Sequence, residues 1–196
     1  MIGLILLGVA LVISYLIYEY LHEDSKITFV KSNVDGKEYL VRNLLDKQKA
    51  SDLLAYINQR VQKLINFLLK KYPNNSEIKR LYERYDSNSL SEGTYNKKYT
   101  TYTLNKGSKI VYCLRKRDGS KQLHDINLLM FVTIHELAHI MSNSTNHTDE
   151  FQHNFKLLAE EAVSCHVYVP QNYQNYPEKY CGILITQTPL SFNIIN

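Results

Sequence analysis

The segment Ile126-Asn127-Leu128-Leu129-Met130-Phe131-Val132-Thr133-Ile134 carries no charge and runs directly into His135-Glu136-Leu137-Ala138-His139. Asp125 stands in front of it as an N-cap, so the pattern predicts a helix apolar on nearly every side, and such a helix lies inside a domain. At about 3.6 residues per turn, His135 and His139 fall one turn apart on the same face. Two imidazoles and a carboxylate at the end of a buried helix need partners, because buried polar groups are costly when unpaired. A metal ion gripped by both imidazoles supplies that partner. The plainer reading is a helix whose last turns surface and leave the histidines solvated, and the apolar run argues against it.

H-E-x-x-H on a helix is the spacing by which zinc is held in metalloproteases, with the glutamate acting as general base on a water at the metal. A structural zinc would recruit cysteines, whereas a catalytic one keeps three protein ligands and an open position. A third ligand is therefore expected after His139. The candidates are His147, His153, Glu150, Glu160 and Glu161. His147 follows the polar stretch Ser142 to Asn146, which reads as a loop able to fold back on the helix end, and it is preferred. Glu160 or Glu161 is the alternative, on a downstream amphipathic helix whose apolar face carries Phe151, Phe155, Leu158 and Ala162. His153 reads as a solvated position on that helix.

The order of a strand at Lys109 to Arg115, a turn at Asp118-Gly119, the H-E-x-x-H helix and His147-Thr148-Asp149-Glu150-Phe151 resembles the WLM and SprT-like zinc metallopeptidases. It is most similar to the WLM-like metallopeptidases of large DNA viruses, over roughly residues 98–155. The resemblance implies a minimal zincin fold, zinc on His135, His139 and His147, and Glu136 as general base. Seven residues, Ile140 to Asn146, separate the second and third histidines, where WLM proteins place five, and no glycine is among them. Asn143 or Asn146 can supply the left-handed conformation instead. No methionine follows Met141, so the Met-turn of metzincins is missing.

Ile2 to Ile17 is a second uncharged run. With Tyr18 it approaches the length of a membrane-spanning helix, and neighbouring tyrosines suit an interfacial belt. No basic segment precedes it and no small-x-small cleavage site follows, which argues against a cleaved signal peptide. Residues 1–18 are therefore expected to be a transmembrane signal-anchor, 19–26 a juxtamembrane linker, and 27–196 the catalytic domain. The bilayer would be a partner through residues 2–18. N-x-S/T sequons at Asn143 and Asn146 would put glycans on the metal loop, which favours a cytosolic domain on a virion or host membrane.

Asp35-Gly36 predicts a hairpin between Ile27–Val30 and Glu38–Val41. A long helix is expected from Asp46 to Lys71, with Ala50, Leu53, Leu54, Ile57, Val61, Leu64, Ile65 and Leu68 on its core face. A short helix follows at Ser76 to Tyr85, then a polar loop at Leu90 to Tyr95. A second hairpin joins Lys98–Leu104 to Lys109–Arg115. Ile110, Val111, Tyr112, Cys113 and Leu114 are expected to form an edge strand that pairs with extended peptide substrate. Tyr168, Tyr173, Tyr176 and Tyr180 are candidates to stabilise the oxyanion. The net charge of +4 is dispersed, so nucleic acid is not expected as a partner. The cysteines, Cys113, Cys165 and Cys181, match no disulfide framework; Cys165 and Cys181 could pair, and a reduced state is as compatible.

The fold expected is α+β and zincin-like: a small, mostly antiparallel sheet packed on the buried H-E-x-x-H helix, plus an N-terminal transmembrane helix. The function expected is a membrane-anchored zinc metallopeptidase acting on protein or peptide. The alternative is a structural or scaffold membrane protein that retains the fold without proteolysis.

Overall fold

The computed structural model describes residues 2–23, 26–94 and 100–192. Helix α1 spans Ile2–Glu23, and β1 (Ile27–Lys31) and β2 (Glu38–Arg42) form the expected antiparallel hairpin. Gly36 carries the positive φ, 73°, at its turn. Helix α2 (Lys47–Lys71) lies on β1, β2 and β3 (Leu90–Glu92). Its predicted stripe is its buried face: Ala50, Leu54, Ile57, Val61, Leu64, Ile65 and Leu68 are all in the core.

Helix α3 (Ser76–Arg84) is capped by Asn75, whose side chain accepts from the backbone N–H groups of Glu77 and Ile78. Strands β4 (Tyr102–Leu104) and β5 (Lys109–Tyr112) are joined by a 3-10 turn at Asn105–Gly107. The long helices α4 (Ile126–Met141) and α5 (Asp149–Ser164) follow, and the hairpin β6 (Glu178–Tyr180) and β7 (Ile183–Ile185) comes last. Helix α4 packs against α2, α3, α5 and β4, which buries it as its composition requires.

Three expectations are corrected here. The main sheet, ordered β1-β2-β3-β5-β4, is mixed rather than mostly antiparallel: β2–β3 and β3–β5 are parallel. Leu90–Glu92, expected in a polar loop, is the buried central strand, because Glu92 is paired inside the protein with Arg115 at 2.7 Å. Lys97, Lys98 and Tyr95 lie outside the described residues.

The third correction concerns the membrane. No helix among the described residues is long and apolar enough to cross one, so the single-pass anchor over residues 1–18 and the membrane localisation built on it do not stand. The uncharged run Ile2 to Tyr18 rises about 26 Å as helix, at about 1.5 Å per residue, short of a hydrocarbon core of about 30 Å.

Candidate metal centre

The end of α4 is held from three sides. Arg84 Nη1 donates to the carbonyls of Ile140 (3.0 Å) and Ser142 (3.2 Å), and Arg80 Nη1 donates to Met141 O (2.7 Å). Guanidinium groups there satisfy orphan carbonyls and complement the helix dipole. Ser142 Oγ donates back to Ala138 O (2.7 Å) and accepts from Asn154 Nδ2 of α5 (3.0 Å), locking the two helices together. The seven-residue loop is shaped by Glu150, which accepts from the backbone N–H groups of Asn143 (2.8 Å) and Ser144 (3.1 Å). Those two bonds hold the Glu150 carboxyl below its ordinary pKa. Thr148 caps α5. Loop and cap together deliver His147 to the helix end.

The Nε2 atoms of His135 and His147 lie 3.1 Å apart, and those of His139 and His147 3.2 Å apart. All three nitrogens converge within 4.8 Å of one another. Zinc–nitrogen bonds of about 2.0–2.1 Å in tetrahedral geometry imply nitrogens about 3.3 Å apart, so the donor set fits the ion. Burial, then the neighbouring imidazoles, pushes His135 down to about 3; burial and His147 push His139 down to about 4. Both are thus neutral near pH 7, as metal ligands must be. Phe151 packs on all three rings, with centroids 4.9, 4.3 and 4.6 Å away.

Glu136 is 6% exposed and turned toward the sheet. Its Oε2 accepts from Thr103 Oγ1 of β4 at 2.7 Å. Burial pushes its carboxyl up to about 7, and Thr103 opposes that shift through its side chain and its backbone. Sequence reasoning missed Thr103, although the alternation Tyr102-Thr103-Leu104 was a signal: a polar residue on the inward side of a strand needs a partner.

The other expected site residues fall elsewhere. Glu161 is bound to Lys71 Nζ (2.8 Å) and Tyr72 Oη (2.7 Å), and Glu160 is exposed beside Lys156. Neither joins the histidine cluster. Tyr168 and Tyr173 are buried against Phe131, and Tyr176 is exposed. Tyr180 borders the cleft, but its hydroxyl is engaged with Thr101 Oγ1 and donates to Cys113 O at 3.0 Å. Ile110 and Val111 of β5 are paired on both sides, with β3 and with β4, and Tyr112 is paired with β3. Leu114 O accepts from the His124 backbone N–H. The segment expected to present a free edge is therefore interior, and among the described residues the free edge beside the site belongs to β4.

Two openings meet at the histidines, sharing Thr101, His135, Glu136 and His147. One, of about 520 Å³, follows β4 toward Asn105 and the Ser144-Thr145 loop. The other, of about 420 Å³, begins at Thr100 and is walled by Phe131, Phe155 and the segment Ile183 to Pro189. Behind it Cys113 is bonded to Cys181, not Cys165 to Cys181, and Cys165 is free and buried.

Residues 37–179 match the WLM domain, a family associated with zinc metallopeptidase-like function. The chain is 36% identical over 167 residues to the uncharacterized protein R325 of Acanthamoeba polyphaga mimivirus, covering 83% of this chain and 84% of that one. It is 27% identical over 176 residues to the uncharacterized protein 136R of Invertebrate iridescent virus 6, covering 85% and 90%. No solved structure matches. The chain belongs to the WLM domain family, and these relatives are proteins of large DNA viruses.

Proposed function

We propose that this protein is a zinc-dependent endopeptidase with Glu136 as its general base. The observation that carries the reading is the meeting of three imidazoles with one buried carboxylate at the junction of two openings. His135, His139 and His147 would hold the zinc. When bound, zinc polarises a scissile carbonyl and makes water acidic enough to attack near neutral pH. Glu136 accepts the proton from the attacking water at Oε1 or Oε2 and passes it to the leaving amine. A carboxyl lifted toward 7 by burial is matched to both halves of that transfer. Thr103 keeps the carboxylate aimed.

The free edge of β4 offers an extended peptide a strand to pair with. Antiparallel pairing, slightly the more stable kind, sets the substrate's direction. Its N-terminal side then lies toward Asn105 and its C-terminal side toward Thr100 and the apolar opening. The residue after the scissile bond therefore enters a wall of Phe131, Phe155, Ile183 and Leu184, which suits a large apolar side chain.

The test is cleavage of a randomised peptide library by zinc-loaded protein, with the cut sites read by mass spectrometry. Cleavage that disappears on chelation, returns with zinc and favours a large apolar residue after the cut supports the reading. Stoichiometric zinc without cleavage of any peptide returns the scaffold alternative.

A further inference from the structure

The wall of the apolar opening is an appendage. Among the described residues, β6 and β7 pair with each other and with no strand of the main sheet. Cys181 (φ 48°) and Gly182 (φ 90°) form the tight turn between them. Immediately after that turn, Ile183 to Pro189 line the cleft that contains His135, Glu136 and His147. Among the described residues the turn is held to the body of the protein by the Cys113–Cys181 bond, by Arg117 Nη1 donating to Cys181 O at 2.8 Å, and by the Tyr180 hydroxyl, which donates to Cys113 O and is engaged with Thr101 Oγ1. Among these contacts the disulfide alone is covalent and cannot exchange with water.

Cys181 is 3% exposed, and it lines a second cavity that shares Ile183 and Leu184 with the histidine cleft. That surface cavity, of about 620 Å³, borders Cys181 and His124. Lys116, Arg117 and Lys179 line it along with Asp118 and Glu178, so cations outnumber anions where an attacking thiolate would enter. His124 Nε2 lies 3.5 Å from Cys181 Sγ, and its ring packs on Tyr180 at 4.9 Å. Burial pushes His124 down to about 4, so it is a neutral, polar neighbour for that sulfur at neutral pH.

We propose that Cys113–Cys181 is a thiol–disulfide exchange site for a dithiol reductant, and that its reduction releases the cleft wall. A thiolate of the reductant attacks Cys181 Sγ. A mixed disulfide forms, the Cys113–Cys181 bond breaks, and its electron pair stays on Cys113, which takes a proton from water. The second thiol of the reductant then displaces Cys181 as a thiolate and closes the reductant's own disulfide. Two electrons pass from the dithiol to the bridge. With the covalent anchor gone, Ile183 to Pro189 lose their fixed position against Phe131 and Phe155. The consequence for peptide hydrolysis rests on the proposed peptidase reading: cleavage is supported in the oxidised protein and suppressed in the reduced one.

The experiment compares the full chain, zinc-loaded, in oxidised form and after treatment with a thioredoxin-type protein dithiol. Mass spectrometry verifies the state of the bridge, and metal analysis verifies that zinc is retained. Hydrogen exchange at residues 178–190 is expected to accelerate at least about tenfold on reduction, as for a locally released segment, with α4 and α5 unchanged. The paired substitutions Cys113→Ala and Cys181→Ala should exchange like the reduced protein without any reductant, and Cys165→Ala should leave the response intact. Unchanged exchange at 178–190 after verified reduction overturns the proposal, as does a bridge that the dithiol does not reduce. Accelerated exchange with undiminished peptide cleavage overturns the link to hydrolysis. Accelerated exchange with no cleavage in either state supports the exchange site and counts against the peptidase reading instead.

Discussion

Thr103 Oγ1 donates to Glu136 Oε2 at 2.7 Å, tying the edge strand to the proposed base of the H-E-x-x-H helix. A hydrogen bond to a charged group contributes about 1.5–3 kcal/mol, and here it fixes where the carboxylate points. Thr103→Val should therefore lower kcat of peptide cleavage by roughly 10- to 100-fold with KM little changed. Thr103→Ser, which restores the hydroxyl, should recover most of the rate. Equal rates for the valine variant and the parent would remove Thr103 from the mechanism.

Gly107 adopts φ +116°, and a Cβ placed there would lie 2.5 Å from Arg84 O and 3.1 Å from Ile140 Cγ2. It lets the turn between β4 and β5 settle on α3 and α4. Gly107→Ala should cost about 2 kcal/mol or more, from backbone strain and the forced separation of those elements. Denaturant titration would show this as a lower midpoint at unchanged slope; an unchanged midpoint would mean the contact is not close.

Arg115 and Glu92 are each 3% exposed and paired at 2.7 Å, and Arg115 also bonds both carboxylate oxygens of Asp46 at 2.7 Å. Arg115→Ala leaves a buried carboxylate without its main partner, and should cost about 3–5 kcal/mol. Adding Glu92→Gln to that variant should recover part of the loss. A double variant no more stable than the single would show that the pair is not the source.

His135, His139 and His124 all have pKa values pushed below the ordinary value, to about 3, 4 and 4, with burial the first cause in each. The unfolded chain therefore binds these protons at higher pH than the folded one. Their contribution to stability is complete above about pH 6.5 and is lost as pH falls from there through 4 toward 3. The melting temperature of chelated protein should drop across that window. Zinc should shift the drop to lower pH by competing with protons for two of the three. A flat melting temperature from pH 6.5 to 4 in the chelated protein would contradict the burial of these imidazoles.

Local periodicity made much of this architecture legible. The apolar stripe of α2 and the uncharged run of α4 each have one stable solution, burial, and both are buried. The convergence of His147 with His135 and His139 could be anticipated from a polar loop followed by a capped helix. Relationships between distant elements were less accessible. Nothing in Leu90–Glu92 announces a central strand, since the partners that let Glu92 be buried, Arg115 and the Arg42 backbone N–H, are distant in sequence. The choice of edge strand depends on β3 inserting beside β5, a parallel pairing no local pattern encodes. Cys113 and Cys181 are likewise joined across 68 residues by the path of the chain. The uncharged run near the N-terminus lies at the short limit of a membrane span, and no helix among the described residues is long and apolar enough to cross one.

The central claim is that Glu136 moves the proton at a centre held by three histidines, and the most direct measurement is kcat/KM of zinc-loaded Glu136→Gln. The glutamine is nearly isosteric and leaves the three imidazoles in place, so zinc stoichiometry should match the parent while kcat/KM falls by roughly 100- to 10,000-fold, the usual contribution of a general base. A zinc-loaded Glu136→Gln protein that cleaves peptide as fast as the parent would contradict the account.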